Sequence, residues 1–260
     1  MPWPMDDDRA IELYRQFRHR LRNEGGLALG VAPYPRPFDG QKFHAVAMLW
    51  QMAAEGALRE LANAINELHR YLQELEAWRP IYAGLSQDEQ YDLLLEHVRP
   101  LAVLCLNAPY SIRGRIIHAT CAVCAHANLF IVWPEGRPKW NGQRADMKTA
   151  KRLAARWGRW PHLAQALGAM AGDDFTTATS DFRNQHHHGS PRTIALGSTS
   201  MIRPLTGERS GWSFGEWGPL SIEDLLPRLA QEHGLALAAF HGFLALVEEQ
   251  KDASPPPDHA

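Results

Sequence analysis

The chain has 260 residues with a hydrophobic share of 45%, enough for a substantial core in one large domain or two small ones. A formal net charge of −2 excludes a bulk polycation that coats nucleic acid, although most of the positive charge is arginine and a local basic cleft stays open. The odd set Cys105, Cys121 and Cys124 argues against a secreted disulfide framework, no apolar run approaches the roughly 18 residues of a membrane span, and the acidic start lacks the apolar core of a signal peptide.

The simplest expectation is a cytoplasmic, bacterial-type protein with no membrane association, and the patterns below make it mainly α in class. We expect a helical bundle with one long central helix and a small β-hairpin insertion. The expected organisation is an N-terminal helix and Pro-rich connector over 1–38, a helical domain over 39–250 and a disordered tail over 251–260.

Residues 6–24 begin with three aspartates and end in arginines, so charge follows the helix macrodipole and predicts a first helix whose arginines form a solvated face. Pro33, Pro35 and Pro37 make 30–38 an extended connector, with Tyr34 and Phe38 to pin it to the core. From 39 to 78 apolar residues recur at helical spacing through Trp50, Leu58, Leu61, Ile65, Leu68, Leu72 and Leu75. This is the long helix, with Gly56 as its candidate break.

Ser86 and Glu89 form a capping box that opens a helix expected to bend or end at Arg99-Pro100. After Pro109, 111–132 reads as an almost wholly apolar helix closed by Pro134. It carries His118, Cys121, Cys124 and His126, the right types for zinc, but on a continuous helix they drift around the axis and do not converge. No metal is expected there, nor at His186, His187 and His188, whose side chains point in three directions.

The most basic short stretch, 146–157, carries Lys148, Lys151, Arg152 and Arg156 as candidate RNA-binding residues, with Arg159 just beyond it. Trp157 and Trp160 suit either stacking on bases or anchoring the segment to the core, the second being the ordinary use. A short helix follows over 161–170, with Pro161 at its start. After 189, the stretches 193–197 and 200–203 look extended and 209–217 alternates glycine, polar and aromatic residues, so 193–217 reads as a β-hairpin or flap joined through 205–208. A last helix runs over 221–250, with Pro227 and Gly234 as candidate interruptions, ahead of the proline-rich tail.

Between these lies the densest chemistry, Asp181-Phe182-Arg183-Asn184-Gln185-His186-His187-His188-Gly189. If 174–188 is one helix capped by Asp173 or Asp174, Asp181, Asn184 and His188 share a face, while Arg183 and His188 lie about 140° apart around the axis. They can then converge only on something held in a groove or across a partner surface. His187, four residues from Arg183, is its same-face neighbour, so spacing leaves open which histidine does the chemistry. Gly189 with Ser190-Pro191 supplies a helix stop, placing His188 in the last turn as a proton donor. A guanidinium binds phosphate bidentately and an imidazole moves protons near neutrality, a pairing that suits RNA cleavage without a metal or other cofactor.

The pattern Arg183-Asn184-x-x-x-His188 resembles the R-N-x-x-x-H signature of the HEPN superfamily of α-helical proteins, many of them metal-independent endoribonucleases of toxin–antitoxin, phage-defence and CRISPR-associated systems. Other Arg-x-x-x-x-His spacings occur at Arg113 and Arg228, but only the copy at Arg183 has Asn next. The resemblance implies that Arg183 binds phosphate, His188 is the acid/base and Asn184 supports them, with Asp181 and His187 as further candidates. It implies a homodimer acting on RNA, restrained by an antitoxin or defence-system partner. The alternative is a non-catalytic HEPN-like binding module in which the motif is structural, Arg183 being buried against an internal carboxylate.

Overall fold

The structure is a computed structural model and describes residues 5–24, 26–39, 45–129, 131, 136–204 and 212–254. Within them the protein is mainly α-helical, with α1 at Asp7–Asn23, α2 at Ala45–Ala83, α3 at Gln87–Leu93 and α4 at Arg99–Ala127. The order continues with α5 at Met147–Leu153, α6 at Trp160–Ala169, α7 at Asp173–Ala178, α8 at Phe182–His188 and α9 at Ile222–Asp252. Two strands, β1 at Thr199–Pro204 and β2 at Trp212–Trp217, pair antiparallel with Thr199 opposite Trp217 and Pro204 opposite Trp212. The expected turn over 205–208 lies outside the described residues, as do Pro134 and the proline tail from 255 onward. The run 193–197 does not join the ribbon, since Ile194 forms a single parallel bridge with Leu220.

The chain divides into two compact units. One is made of Met1–Leu29, Leu68–Asn107 and Gly172–Gln231, the other of Gly30–Glu67, Ala108–Ala171 and Glu232–Ala260. Helices α2, α4 and α9 each contribute to both, so most boundaries between the units fall inside helices.

Three of the helices are long, with 39, 29 and 31 residues. Each runs through a proline, Pro80, Pro109 or Pro227. Pro109 therefore does not separate two helices, and neither Pro227 nor Gly234 interrupts α9. Gly56 likewise leaves α2 unbroken. A proline inside a helix costs about 3 kcal/mol, whereas each fully buried leucine-sized side chain returns about 1.5–3 kcal/mol. Leu106 and Ile112 are buried around Pro109, and Leu225, Leu226 and Leu229 around Pro227. The helical path continues at Arg99-Pro100 for a related reason. Leu94–Val98 forms a π-helical turn in which the Arg99 N–H bonds back to the Leu94 carbonyl, so the ladder shifts register just ahead of the proline.

In the unit that holds α1, Asp6 caps the helix by accepting from the Asp8 N–H at 2.9 Å, and Leu13 and Phe17 are buried one turn apart. Phe17 stacks on Trp78 at 4.3 Å, and Trp78 stacks on His97 of the π turn at 4.8 Å. Glu89 closes the capping box, accepting from the Ser86 hydroxyl at 2.7 Å and the Ser86 N–H at 3.0 Å. It also accepts from Arg9 Nε at 2.9 Å, which ties α1 to α3.

In the other unit α9 approaches α6 closely. A Cβ on Gly242 would stand 3.3 Å from the Leu163 Cα, so glycine there lets the two backbones meet. The buried Trp50 Nε1 donates to Gln250 Oε1 at 2.9 Å, and Gln250 Nε2 donates to Cys124 Sγ at 3.2 Å. Burial raises the Cys124 and Cys105 thiols and pushes Cys121 up to about 11, as expected of packing cysteines. Among the described residues no three of His, Cys, Asp and Glu gather where they could hold a metal ion, and no helix is long and apolar enough to cross a membrane.

Two outcomes follow from these contacts. Replacing Gln250 with Leu removes its bonds to the Trp50 indole and Cys124 from the core, and we expect a loss of about 1–3 kcal/mol, read as a lower urea midpoint at unchanged slope. The Ser86 hydroxyl, with Arg9 and the Ser86 N–H, holds the Glu89 carboxyl down at about 2 from an ordinary 4.5. Its stabilisation is therefore full above pH 4.5 and is lost as pH falls toward about 2. Thermal melts of Glu89→Gln should lack that part of the acid-side decline and should show a loss of about 1 kcal/mol at neutral pH.

Candidate functional site

The motif does not lie on one long helix. Helix α7 ends at Ala178, and the turn Thr179-Ser180-Asp181 separates it from α8, a seven-residue helix beginning at Phe182. Ser180 and Asp181 both take left-handed backbone angles, with φ of 55° and 52°, which continue neither helix. The turn is held by the Asp181 N–H on the Thr176 carbonyl at 2.7 Å and by the Thr179 hydroxyl on the Phe175 carbonyl at 2.8 Å. Gly172 is the residue at the N-terminus of α7, so Asp173 and Asp174 sit inside its first turn and do not cap it.

Arg192 ties this turn to the segment before α9. Its Nη1 donates to Ser180 Oγ at 3.2 Å, while Nε and Nη2 donate to the Gly218 carbonyl at 3.1 and 2.7 Å. The neighbouring Thr193 carbonyl accepts from the Leu220 N–H at 2.8 Å, and the Ala195 N–H donates to the Leu220 carbonyl at 2.9 Å. The chain leaving α8 is thus pinned two ways, and sequence reasoning missed Arg192. Its only signal was an arginine beside a proline in a glycine- and serine-rich stretch, which no local rule singles out.

Asp181 is the N-terminal residue of α8 and accepts from Asn184 Nδ2 at 3.0 Å, which orients the Asn184 carboxamide. Phe182 is buried and anchors its face of the helix, and His186, exposed one turn later, stacks on it at 5.6 Å and 21°. With about 100° per residue, Arg183 and His187 then share a second face, and Asn184 and His188 a third. Arg183, Asn184, His187 and His188 are all exposed. The His187 and His188 ring centroids lie 6.3 Å apart. Helix α8 ends at His188, and Gly189 follows with φ of −156°, an extended conformation and not a left-handed cap.

The other candidates belong to the second unit. Lys148, Lys151 and Arg152 lie exposed on α5, whose N-terminal Asp146 accepts from the Thr149 N–H at 2.7 Å, and Arg156 lies exposed just after it. Arg152 Nη2 donates to the Lys139 carbonyl at 3.0 Å. Trp157 and Trp160 are buried at 4% and 7% exposure, which removes them as stacking platforms for bases. Trp157 instead donates to Asn128 Oδ1 at 3.0 Å, and Asn128 Nδ2 donates to the Leu153 carbonyl at 2.9 Å, so this pair locks the end of α5.

No model of a known protein family, no curated protein and no solved structure matches the chain. The functional reading therefore rests on the residues and their geometry.

Lysine cannot reproduce the forked contacts of Arg192, so Arg192→Lys should loosen the turn before α8. We expect amides over 180–188 to exchange hydrogen about tenfold faster or more, since bonds to a charged group contribute about 1.5–3 kcal/mol each. Amides of α1 should be unchanged, as read by exchange mass spectrometry.

Proposed function

We propose that the protein is a metal-independent endoribonuclease of the HEPN type, built on a HEPN-like helical domain and acting as a cytoplasmic homodimer in a toxin–antitoxin or phage-defence setting. One observation carries this reading. Helix α8 offers an arginine and two adjacent histidines, all exposed, with the imidazoles 6.3 Å apart. The two rings stand close enough on one helix for both to reach a single phosphodiester, one as proton acceptor and one as proton donor.

In that reaction the 2′-hydroxyl loses its proton to His187 while its oxygen attacks phosphorus. The P–O5′ bond breaks, His188 delivers a proton to the leaving 5′ oxygen, and Arg183 holds the phosphoryl charge. The products are a 2′,3′-cyclic phosphate and a 5′-hydroxyl. Asn184, oriented by Asp181, supports the phosphate side. The exposure of Arg183 supports this reading over the structural one, which calls for a buried guanidinium.

A second reading, a non-catalytic helical interaction module, draws on a different feature. Met48, Leu49 and Met52 stand 52%, 60% and 66% exposed on α2, an apolar patch suited to a partner protein.

The deciding measurement is cleavage of total RNA and tRNA in excess EDTA by the wild type, Arg183→Ala, His187→Ala and His188→Ala, each first checked for folding by circular dichroism. Cleavage by the wild type should leave cyclic phosphate ends, and each substitution should lower the rate by about 100-fold or more, the usual contribution of general acid–base catalysis. Intact RNA with folded wild type, or equal cutting by all four proteins, would favour the interaction module.

A further inference from the structure

The Pro-rich connector and α2 enclose a cleft of about 640 Å³ within one compact unit, distant in sequence from the motif and independent of the ribonuclease reading. This volume is that of a small-molecule site. The connector contributes Tyr34, Arg36 and Asp39, and α2 contributes Glu55, Arg59 and Asn63, spaced four residues apart along one stripe.

The cleft is preformed. Asn66 holds the connector like a strand partner, accepting from the Ala32 N–H at 2.8 Å and donating to the Ala32 carbonyl at 3.0 Å. The Tyr34 hydroxyl donates to Asn63 Oδ1 at 2.9 Å, and the buried Phe38 packs edge-on against Trp50 with centroids 5.1 Å apart. Pro33, Pro35 and Pro37 fix the backbone torsions between these anchors, so little ordering entropy is left for a ligand to supply.

Its charges are balanced but unmatched. Glu55 and Arg59, at i and i+4 in the favourable order, would ordinarily pair. Instead Glu55 accepts from Gln51 Nε2 at 3.0 Å, and among the described residues neither Arg36 nor Arg59 makes an ion pair. Two guanidinium groups therefore face the cleft beside two carboxylates and an exposed tyrosine ring.

We propose that this cleft binds a nucleoside 5′-monophosphate. The phosphate lies between Arg36 and Arg59, which offer forked donors at full charge. The ribose hydroxyls donate to Glu55 or Asp39, and the base stacks on Tyr34. Because the cleft is neutral overall, a polyphosphate would set surplus negative charge against those carboxylates. Inorganic phosphate would engage the arginines alone.

The test is isothermal titration of the full chain at low ionic strength with AMP, GMP, CMP and UMP, and with adenosine, inorganic phosphate and ATP for comparison. At least one monophosphate should bind saturably at one site per chain, at least tenfold tighter than adenosine, phosphate or ATP. The pair Arg36→Gln with Arg59→Gln should weaken it by about tenfold or more, as loss of charge-assisted bonds implies, and Arg183→Ala should leave it unchanged. Absence of saturable binding at millimolar nucleotide would overturn the proposal. So would binding that survives the arginine pair or disappears in Arg183→Ala, since the nucleotide would then sit elsewhere.

Discussion

Pairing of the backbone groups at the ends of short helices is the constraint on which much of this structure depends. Every helix leaves four N–H and four C=O groups without internal partners, and a short helix consists mostly of its ends. Helix α5 receives a cap from its own Asp146, but α6, α7 and α8 have no capping side chain in the usual position. For α6 and the turn that follows it, residues remote in sequence supply partners. Glu249 of α9 accepts from the Gly158 and Arg159 N–H groups ahead of α6 at 2.6 and 2.8 Å, Arg113 of α4 donates to the Leu167 carbonyl at 2.7 Å, and Glu232 of α9 accepts from the Ala171 N–H at 2.8 Å. Each gives an end-of-helix or turn backbone group a charge-assisted bond, and those at Leu167 and Ala171 are partly buried.

The same logic shapes the polar core. Gln250 lies between Trp50 and Cys124, and Asn128 between Leu153 and Trp157, so each buried amide uses both its donor and its acceptor ends. Glu232 shows the cost of the arrangement. Burial raises its carboxyl above the ordinary range, and the Ala171 N–H only partly offsets that. A carboxylate is kept there because it closes the turn in which Ala171 takes a left-handed angle, with φ of 46°.

The candidate site follows the same plan in the other unit. Helix α8 is too short to stand alone, since isolated helices under about 12 residues are marginal in water. It is held by the buried Phe182, by Asp181 on Asn184 and by Arg192 on the preceding turn. Three of its sides are then distinct. One is anchored through Phe182, with His186 stacked on it, and the other two carry Arg183 with His187 and Asn184 with His188. A single helix over 174–188 would have aligned Asp181 with Asn184 and His188. The two left-handed residues replace that alignment with a turn, and Asp181 still reaches Asn184 from the N-terminal position of the new helix.

Local chemistry alone determined where several elements begin, and those starts were legible. Asp6, the Ser86–Glu89 box and Pro161 each act within a few residues of themselves. The apolar stripe of α2 was legible too, because burial of Trp50, Leu58, Leu61, Ile65, Leu68, Leu72 and Leu75 follows the helical period. The motif could be read as a set of residue types at a spacing, with its histidine ambiguity intact. Tertiary structure decided the rest. Whether Pro109 and Pro227 end a helix depends on how much apolar surface is buried around them, which no local window contains. The break at Ser180-Asp181 depends on Arg192 and Gly218, the fate of Trp157 on Asn128, and the cleft beneath the connector on Asn63 and Asn66. Each is a bond between residues 12 to 34 positions apart, and the sequence pattern at either end carries no mark of it.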